Sequence, residues 1–231
     1  MPDLAELAAS LYRLGDFEGA RSLLAALYEE SARTLGPADP ATLAAGNNLS
    51  VVMYAMGDSA PSGELIGIVA AAMRAGEGAD GRGLIAVRNN MAMAARDRGE
   101  LAAAQETLMG TVLSARRIYG AGHPATAAVS ANLGIVCRDM EEKESAIFFL
   151  KLSVEASAEA RASGMPPGAA ASGAAEDGGF FLREVRYRHQ ILYDLLMKEG
   201  RITEALSVLD MLKDDEMESL ETPPAVRPRQ G

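Results

Sequence analysis

Chemistry in this chain would have to start from very few side chains. Two histidines, His123 and His189, and one cysteine, Cys137, are the candidates for a base, a nucleophile or a soft metal ligand. His123 precedes Pro124, a place where a side chain caps a helix. His189 has no cysteine or carboxylate at a metal-ligand spacing. Cys137 falls one helical turn after Leu133, where a buried, inert thiol is expected. A Cys137–His189 nucleophilic pair would need the fold to bring the two together. The run Gly76-Glu77-Gly78-Ala79-Asp80-Gly81-Arg82-Gly83 is rich in glycine. It lacks the Lys-Ser/Thr and the preceding strand of a phosphate loop, and reads as a loosened turn. Glu29-Glu30 and Asp214-Asp215 read as solvated helix faces. The expectation is a chain with no catalytic residue, no metal and no cofactor.

The informative polar residues are asparagines. Asn48, Asn90 and Asn132 are evenly spaced, 42 apart. An amide offers donors and an acceptor, so it can pair with the backbone of an extended peptide without reading its side chains. It can equally bond a neighbouring helix. Gly15, Gly57 and Gly99 share the same spacing, as do Gly36, Gly78 and Gly120. A period of this length marks a solenoid, whose units bury their apolar faces against one another.

Composition agrees with an all-α reading. Hydrophobic residues make up 48% of the chain, but aromatics only 5%, and tryptophan is absent. Such a core is built from Ala, Leu, Val and Met, which suits close helix packing better than a sheet sandwich. The net charge of −10 gives no basic face for nucleic acid. A single cysteine excludes an internal disulfide framework. The segment Met1 to Glu6 has no basic or apolar leader pattern, and no run reaches the ~20 apolar residues of a membrane span. A cytoplasmic protein is expected. The excess of Arg over Lys, with the Ala and Gly richness, hints at a GC-rich bacterial genome.

Each unit reads as two helices. In unit 2 the first runs from about Pro40 to Met56, and Gly57-Asp58 breaks it. Glycine accepts the left-handed conformation of a helix C-terminus, and the acid caps the next helix. Second helices are expected over Phe17–Leu35, Ser62–Ala75 and Leu101–Tyr119. The turn Gly36 to Thr42 matches Gly120 to Thr126 position for position. Unit 4 keeps the phase over His123–Met140 and Glu144–Ala162, with Glu141 in place of the glycine. From Glu141 to Gly200, and again from Ala146 to Ala205, the spacing is 59, which is 42 plus an insertion of 17. Residues 1–163 therefore hold four units, 164–179 a flexible Ala/Gly/Pro insertion, 180–220 a fifth unit and 221–231 a disordered tail.

These residues carry a resemblance. Leu7-Ala8, Gly15 and Ala20, then Leu49-Ser50 and Gly57, Met91-Ala92, Gly99 and Ala104, and Leu133-Gly134 and Ala146, make the tetratricopeptide pattern. The long unit, the Gly-x-x-His-Pro-x-Thr turn and the Asn-Asn-Leu motif resemble repeats of the kinesin light chain type. The pattern departs at Ser62, which replaces a small Ala, and at Tyr193, which takes the Ala/Gly position. The resemblance implies a right-handed superhelical solenoid of about five repeats. Its first helices would line a concave groove that binds a protein or peptide segment. Asn48, Asn90 and Asn132 would form a ladder there, with Val52, Ala94 and Val136 one turn on and Asp97 and Asp139 at the rim. Asn47 and Asn89, turned about 100° away around the helix, would support the fold. Ala44, Ala86 and Ala128 stand where a carboxylate clamp needs Lys or Arg, and the two aspartates would favour a neutral or basic ligand. More locally, Leu192 to Lys213 resembles the last repeat before the protease of bacterial CHAT proteins. That implies an alternative role as the regulatory part of a caspase-like system.

Overall fold

A computed structural model describes residues 4–75, 82–163 and 188–221. Ten helices lie among the described residues, and no strand. They are α1 (Leu4–Leu14), α2 (Phe17–Thr34), α3 (Pro40–Ala55), α4 (Ser59–Ala75) and α5 (Arg82–Asp97). Then follow α6 (Leu101–Tyr119), α7 (Pro124–Asp139), α8 (Lys143–Ala162), α9 (Arg188–Lys198) and α10 (Ile202–Glu221). Odd-numbered helices are the first (A) helix of each unit and even-numbered ones the second (B). The expected helices appear close to their expected ends; α4 starts earlier than expected, at Ser59 rather than Ser62. The expected insertion at 164–179, the opening of unit 5 and the tail from residue 222 lie outside the described residues.

The turns form where local chemistry dictates. Gly15, Gly57, Gly99 and Gly200 have φ between 71° and 92°, the left-handed region. Glu141 holds the equivalent place in unit 4 with φ 64° despite its side chain, a conformation that costs a non-glycine residue roughly 1 kcal/mol. Asp39 accepts a hydrogen bond from the Ala41 N–H at 2.9 Å, and His123 Nδ1 accepts the equivalent one from Ala125 at 3.1 Å. Each precedes a proline at the helix start. The His123 ring also stacks on Tyr119, with centroids 4.4 Å apart.

Small residues let each pair of helices close up. Ala20, Ser62, Ala104, Ala146 and Ala205 occupy one position of the B helices, and all are buried. The Ser62 hydroxyl is accommodated by donating to the Ser50 carbonyl at 2.7 Å. Gly134 gives the tightest approach to a B-helix backbone: a Cβ there would lie 2.7 Å from Leu150 Cγ and 3.1 Å from the Ala146 carbonyl oxygen. Tyr193, by contrast, is partly buried and packs against the core. One apolar cluster joins Ile85 and Leu108 through Leu133 and Leu150 to Leu192 and Val208, so units 3, 4 and 5 share a core. At the surface, Arg201 and Lys151 both bond Glu204, tying α8 to α10. The Arg201 hydrogen bond, then that of Lys151, holds the Glu204 carboxyl down at about 2.

Candidate functional site

Adjacent A helices contact directly, α3 with α5 and α5 with α7. Asparagines fill these contacts. Asn132 Nδ2 donates to Asn89 Oδ1 at 2.9 Å, and Asn89 Nδ2 to Asn90 Oδ1 at 3.1 Å. Asn90 Nδ2 donates to Asn47 Oδ1 at 2.8 Å, and Asn47 Nδ2 to Asn48 Oδ1 at 3.2 Å. Five amides thus form one run of four hydrogen bonds, all pointing the same way, through three helices. Every member is buried. In a low-dielectric interior such a run is mutually polarised, and losing any member strands its neighbours.

The three asparagines of the expected ladder, Asn48, Asn90 and Asn132, are buried within this run. Asn90 bonds α5 to α3 and Asn132 bonds α7 to α5, while Asn48 accepts from Asn47 within α3. Val52 and Val136 lie in the hydrophobic core, and Ala94 in the smaller cluster with Ile66 and Val87. The reason is helical geometry. A helix completes a turn in about 3.6 residues, so the fourth residue on overshoots a full turn. The overshoot rotates these positions from the A–A contact towards the packed B helices. Helix α7 is enclosed on all sides: every residue from Ala125 to Cys137 is buried.

The two aspartates part company. Asp97 is exposed. Asp139 accepts from Arg96 Nε at 2.6 Å and from Arg138 Nη2 at 2.7 Å. Burial pushes its carboxyl up, but the hydrogen bonds and charges of Arg96 and Arg138 outweigh that and hold it below the ordinary value. Its charge is therefore matched within the chain by two arginines.

The candidates for chemistry settle into structural places. Cys137 is buried on α7, and Gln105 Nε2 lies 3.6 Å from its sulfur. Burial pushes the thiol up, with Glu142 adding to the rise against the Gln105 bond. Arg138, next in sequence, is turned to Asp139 and does not activate the thiol. His123 caps α7, as its place before Pro124 suggested. Among the described residues no cluster of His, Cys, Asp or Glu could hold a metal.

The concavity that sequence reasoning missed lies between the B helices of units 2 and 3. A cavity of about 500 Å³ opens between α4 and α6 over α5. Its floor is Met73, Leu84, Val87 and Met91; Thr107, Gly110 and Thr111 of α6 form one wall, with Arg88 and Glu106 also lining it. The wall is short of bulk. Where unit 3 has Thr107, units 1, 2 and 4 have Leu23, Leu65 and Phe149; where it has Gly110, they have Ala26, Ile68 and Leu152. A Cβ added at Gly110 would meet nothing within 4 Å. Comparing side-chain volumes along the repeat would have revealed the site.

Two tetratricopeptide repeat family models match the chain, one over residues 83–159 and one over residues 4–41. Solved structures share the fold at low identity. A kinesin light chain-type protein of Podosopora anserina with nearly identical TPR-like repeats is 20% identical, with a TM-score of 0.65 over 95% of this chain and 96% of that one. BtubC (BKLC) from P. vanneervenii is 17% identical, with a TM-score of 0.70 over 99% and 84%. PilF of Pseudomonas aeruginosa is 18% identical, with a TM-score of 0.59 over 92% and 74%. No curated protein matches. These findings do not show the local CHAT-type resemblance of residues 192–213. No helix among the described residues is long and apolar enough to cross a membrane. The chain carries tetratricopeptide repeats and has the solenoid fold of kinesin light chain-like repeat proteins.

Proposed function

We propose that the chain is a non-catalytic module that binds a protein segment, anchored by large apolar side chains in the cavity between α4, α5 and α6. Tetratricopeptide solenoids are in general protein-interaction scaffolds, and the observation that carries this reading is the cavity itself. Its volume lies within the range of ordinary ligand pockets, with an apolar floor and hydroxyls on one wall. The net charge of −10 favours a partner segment with basic residues around the anchor. Asp97 offers a further contact at the exposed end of α5. Asn90 and Asn132 act behind these surfaces by holding the A helices in register, with Asn48 closing the run, while Val52, Ala94 and Val136 pack in the core. A regulatory repeat region of a CHAT-type protease system would bind in the same way; that reading rests on residues 192–213 and requires a caspase-like domain encoded downstream.

The test fills the cavity with the residues unit 2 uses. A tagged chain carrying Thr107→Leu and Gly110→Ile is compared with the wild type for partner capture from its own host cell. Proteins retained by the wild type and lost by the filled variant, with helicity unchanged, are the expected result. Partners retained equally by both would show that the cavity is not the anchor.

A further inference from the structure

The first and last described helices carry the two halves of the interface that joins the units inside. Each internal A helix rests on the B helix of the unit before it. Leu7 on α1 is equivalent by the repeat to Leu49, Leu133 and Leu192, which are 8%, 0% and 0% exposed. Leu7 is 48% exposed, because no B helix precedes α1 among the described residues. At the other end Leu206 on α10 is equivalent to Ile147, which is 2% exposed in the core that α8 shares with α9. Leu206 is 51% exposed, and no A helix follows α10 among the described residues; in the other B helices the position is held by Arg21, Gly63 and Gln105, which are exposed or half-buried.

The halves also match in register. Inside the chain, Lys143 at the start of α8 pairs with Glu199 after the end of α9, at 2.7 Å. The equivalents of those two residues on the first and last described units are Leu14 and Ile202, which are 82% and 56% exposed. An ion pair at the internal junction is thus replaced by two apolar side chains, one on each end. Likewise the Gln105–Cys137 contact between α6 and α7 has Leu206 and Leu11 as its terminal equivalents.

We propose that copies of this chain stack head to tail, with α1 of one copy laid on α10 of the next, so that the solenoid continues across the junction. Ile202 meets Leu14, and Leu206 meets Leu11 and Leu7, in the geometry of the internal junctions. The two surfaces differ, so the contact is heterologous and association does not close at two copies.

Sedimentation velocity of the full chain tests this over a wide concentration range. The mass is expected to rise from 24.2 kDa in steps of one chain without stopping at a dimer. A head-blocked variant (Leu7→Glu, Leu14→Glu) and a tail-blocked variant (Ile202→Glu, Leu206→Glu) should each associate at least ~10-fold more weakly alone. An equimolar mixture of the two should form a 1:1 dimer and nothing larger, because one intact end remains on each. All four side chains are exposed, so circular dichroism should show unchanged helix. As a second measurement, a chain with Leu14→Cys and Ile202→Cys should oxidise to a ladder of oligomers. A wild type that stays monomeric would overturn the proposal. So would a wild type that stops at two, a mixture that stays monomeric, or the absence of a ladder.

Discussion

Arg96 on α5 donates from Nε to Asp139 Oδ2 on α7 at 2.6 Å, and the two lie 43 apart in sequence, one more than the repeat period. The same offset joins Asn47 to Asn90 and Asn89 to Asn132. Every one of these A-to-A bonds therefore links a position in one unit to the next position in the following unit. Neighbouring residues on a helix point about 100° apart, so one reaches back to the previous unit and the other forward.

The Arg96–Asp139 pair should make stability pH-dependent. The Asp139 carboxyl sits below its ordinary value in the folded chain. Its contribution is then fully present above about pH 4 and is lost as pH falls through the lowered folded value. Asp139→Asn should reduce stability by about 1–2 kcal/mol at neutral pH and flatten the acid limb of the profile. Urea unfolding from neutral pH into the acid range measures both; an unchanged acid limb would remove this pair from the account.

Much of this fold was legible in residue types because its determinants are local. A glycine that needs φ above zero, an Asp or His before a proline, and a small residue where two helices touch each announce themselves at a fixed spacing. The fate of the asparagines was not legible in that way. Periodicity says that Asn48, Asn90 and Asn132 are equivalent, but not how closely adjacent A helices approach, and that distance decides whether an amide meets water or another amide. The doubled asparagines at 47–48 and 89–90 were the available signal, since adjacent side chains on one helix diverge and can serve the two flanking helices at once. The cavity was hidden for a different reason. It arises from bulk missing at Thr107 and Gly110, and a pattern search for motifs does not register missing volume.

Glu141 is the one A–B turn position held in the left-handed region by a residue other than glycine among the described residues. Glu141→Gly should stabilise the chain by roughly 0.5–1 kcal/mol, because the steric cost of that conformation disappears. Thermal and urea unfolding would detect the gain. A loss of stability would mean that the Glu141 side chain makes a compensating contact.

Gly134→Ala should do the reverse. The added methyl would lie 2.7 Å from Leu150 Cγ and 3.1 Å from backbone atoms of α8. Overpacking of that kind costs about 1–3 kcal/mol, against up to about 1 kcal/mol gained from the better helix former. A melting temperature at or above the wild type would show that α7 and α8 can separate freely.

Filling the cavity should also register in stability. Thr107→Leu with Gly110→Ile places apolar volume over Met73, Val87 and Met91 and removes a glycine from the middle of α6. A gain of about 1–2 kcal/mol is expected. A destabilised variant would indicate that the space between α4 and α6 is narrower than the cavity implies.

The asparagines bond α3 to α5 and α5 to α7. The most direct test is a double-mutant cycle at Asn47 and Asn90, with Asn47→Ala, Asn90→Ala and the double variant unfolded in urea. Each single change leaves a buried polar atom without its partner, at a cost of roughly 1–3 kcal/mol. The double variant should cost clearly less than the sum, with a coupling of about 1 kcal/mol or more. Strictly additive losses, or single variants as stable as the wild type, would mean that these amides do not hold the repeats together.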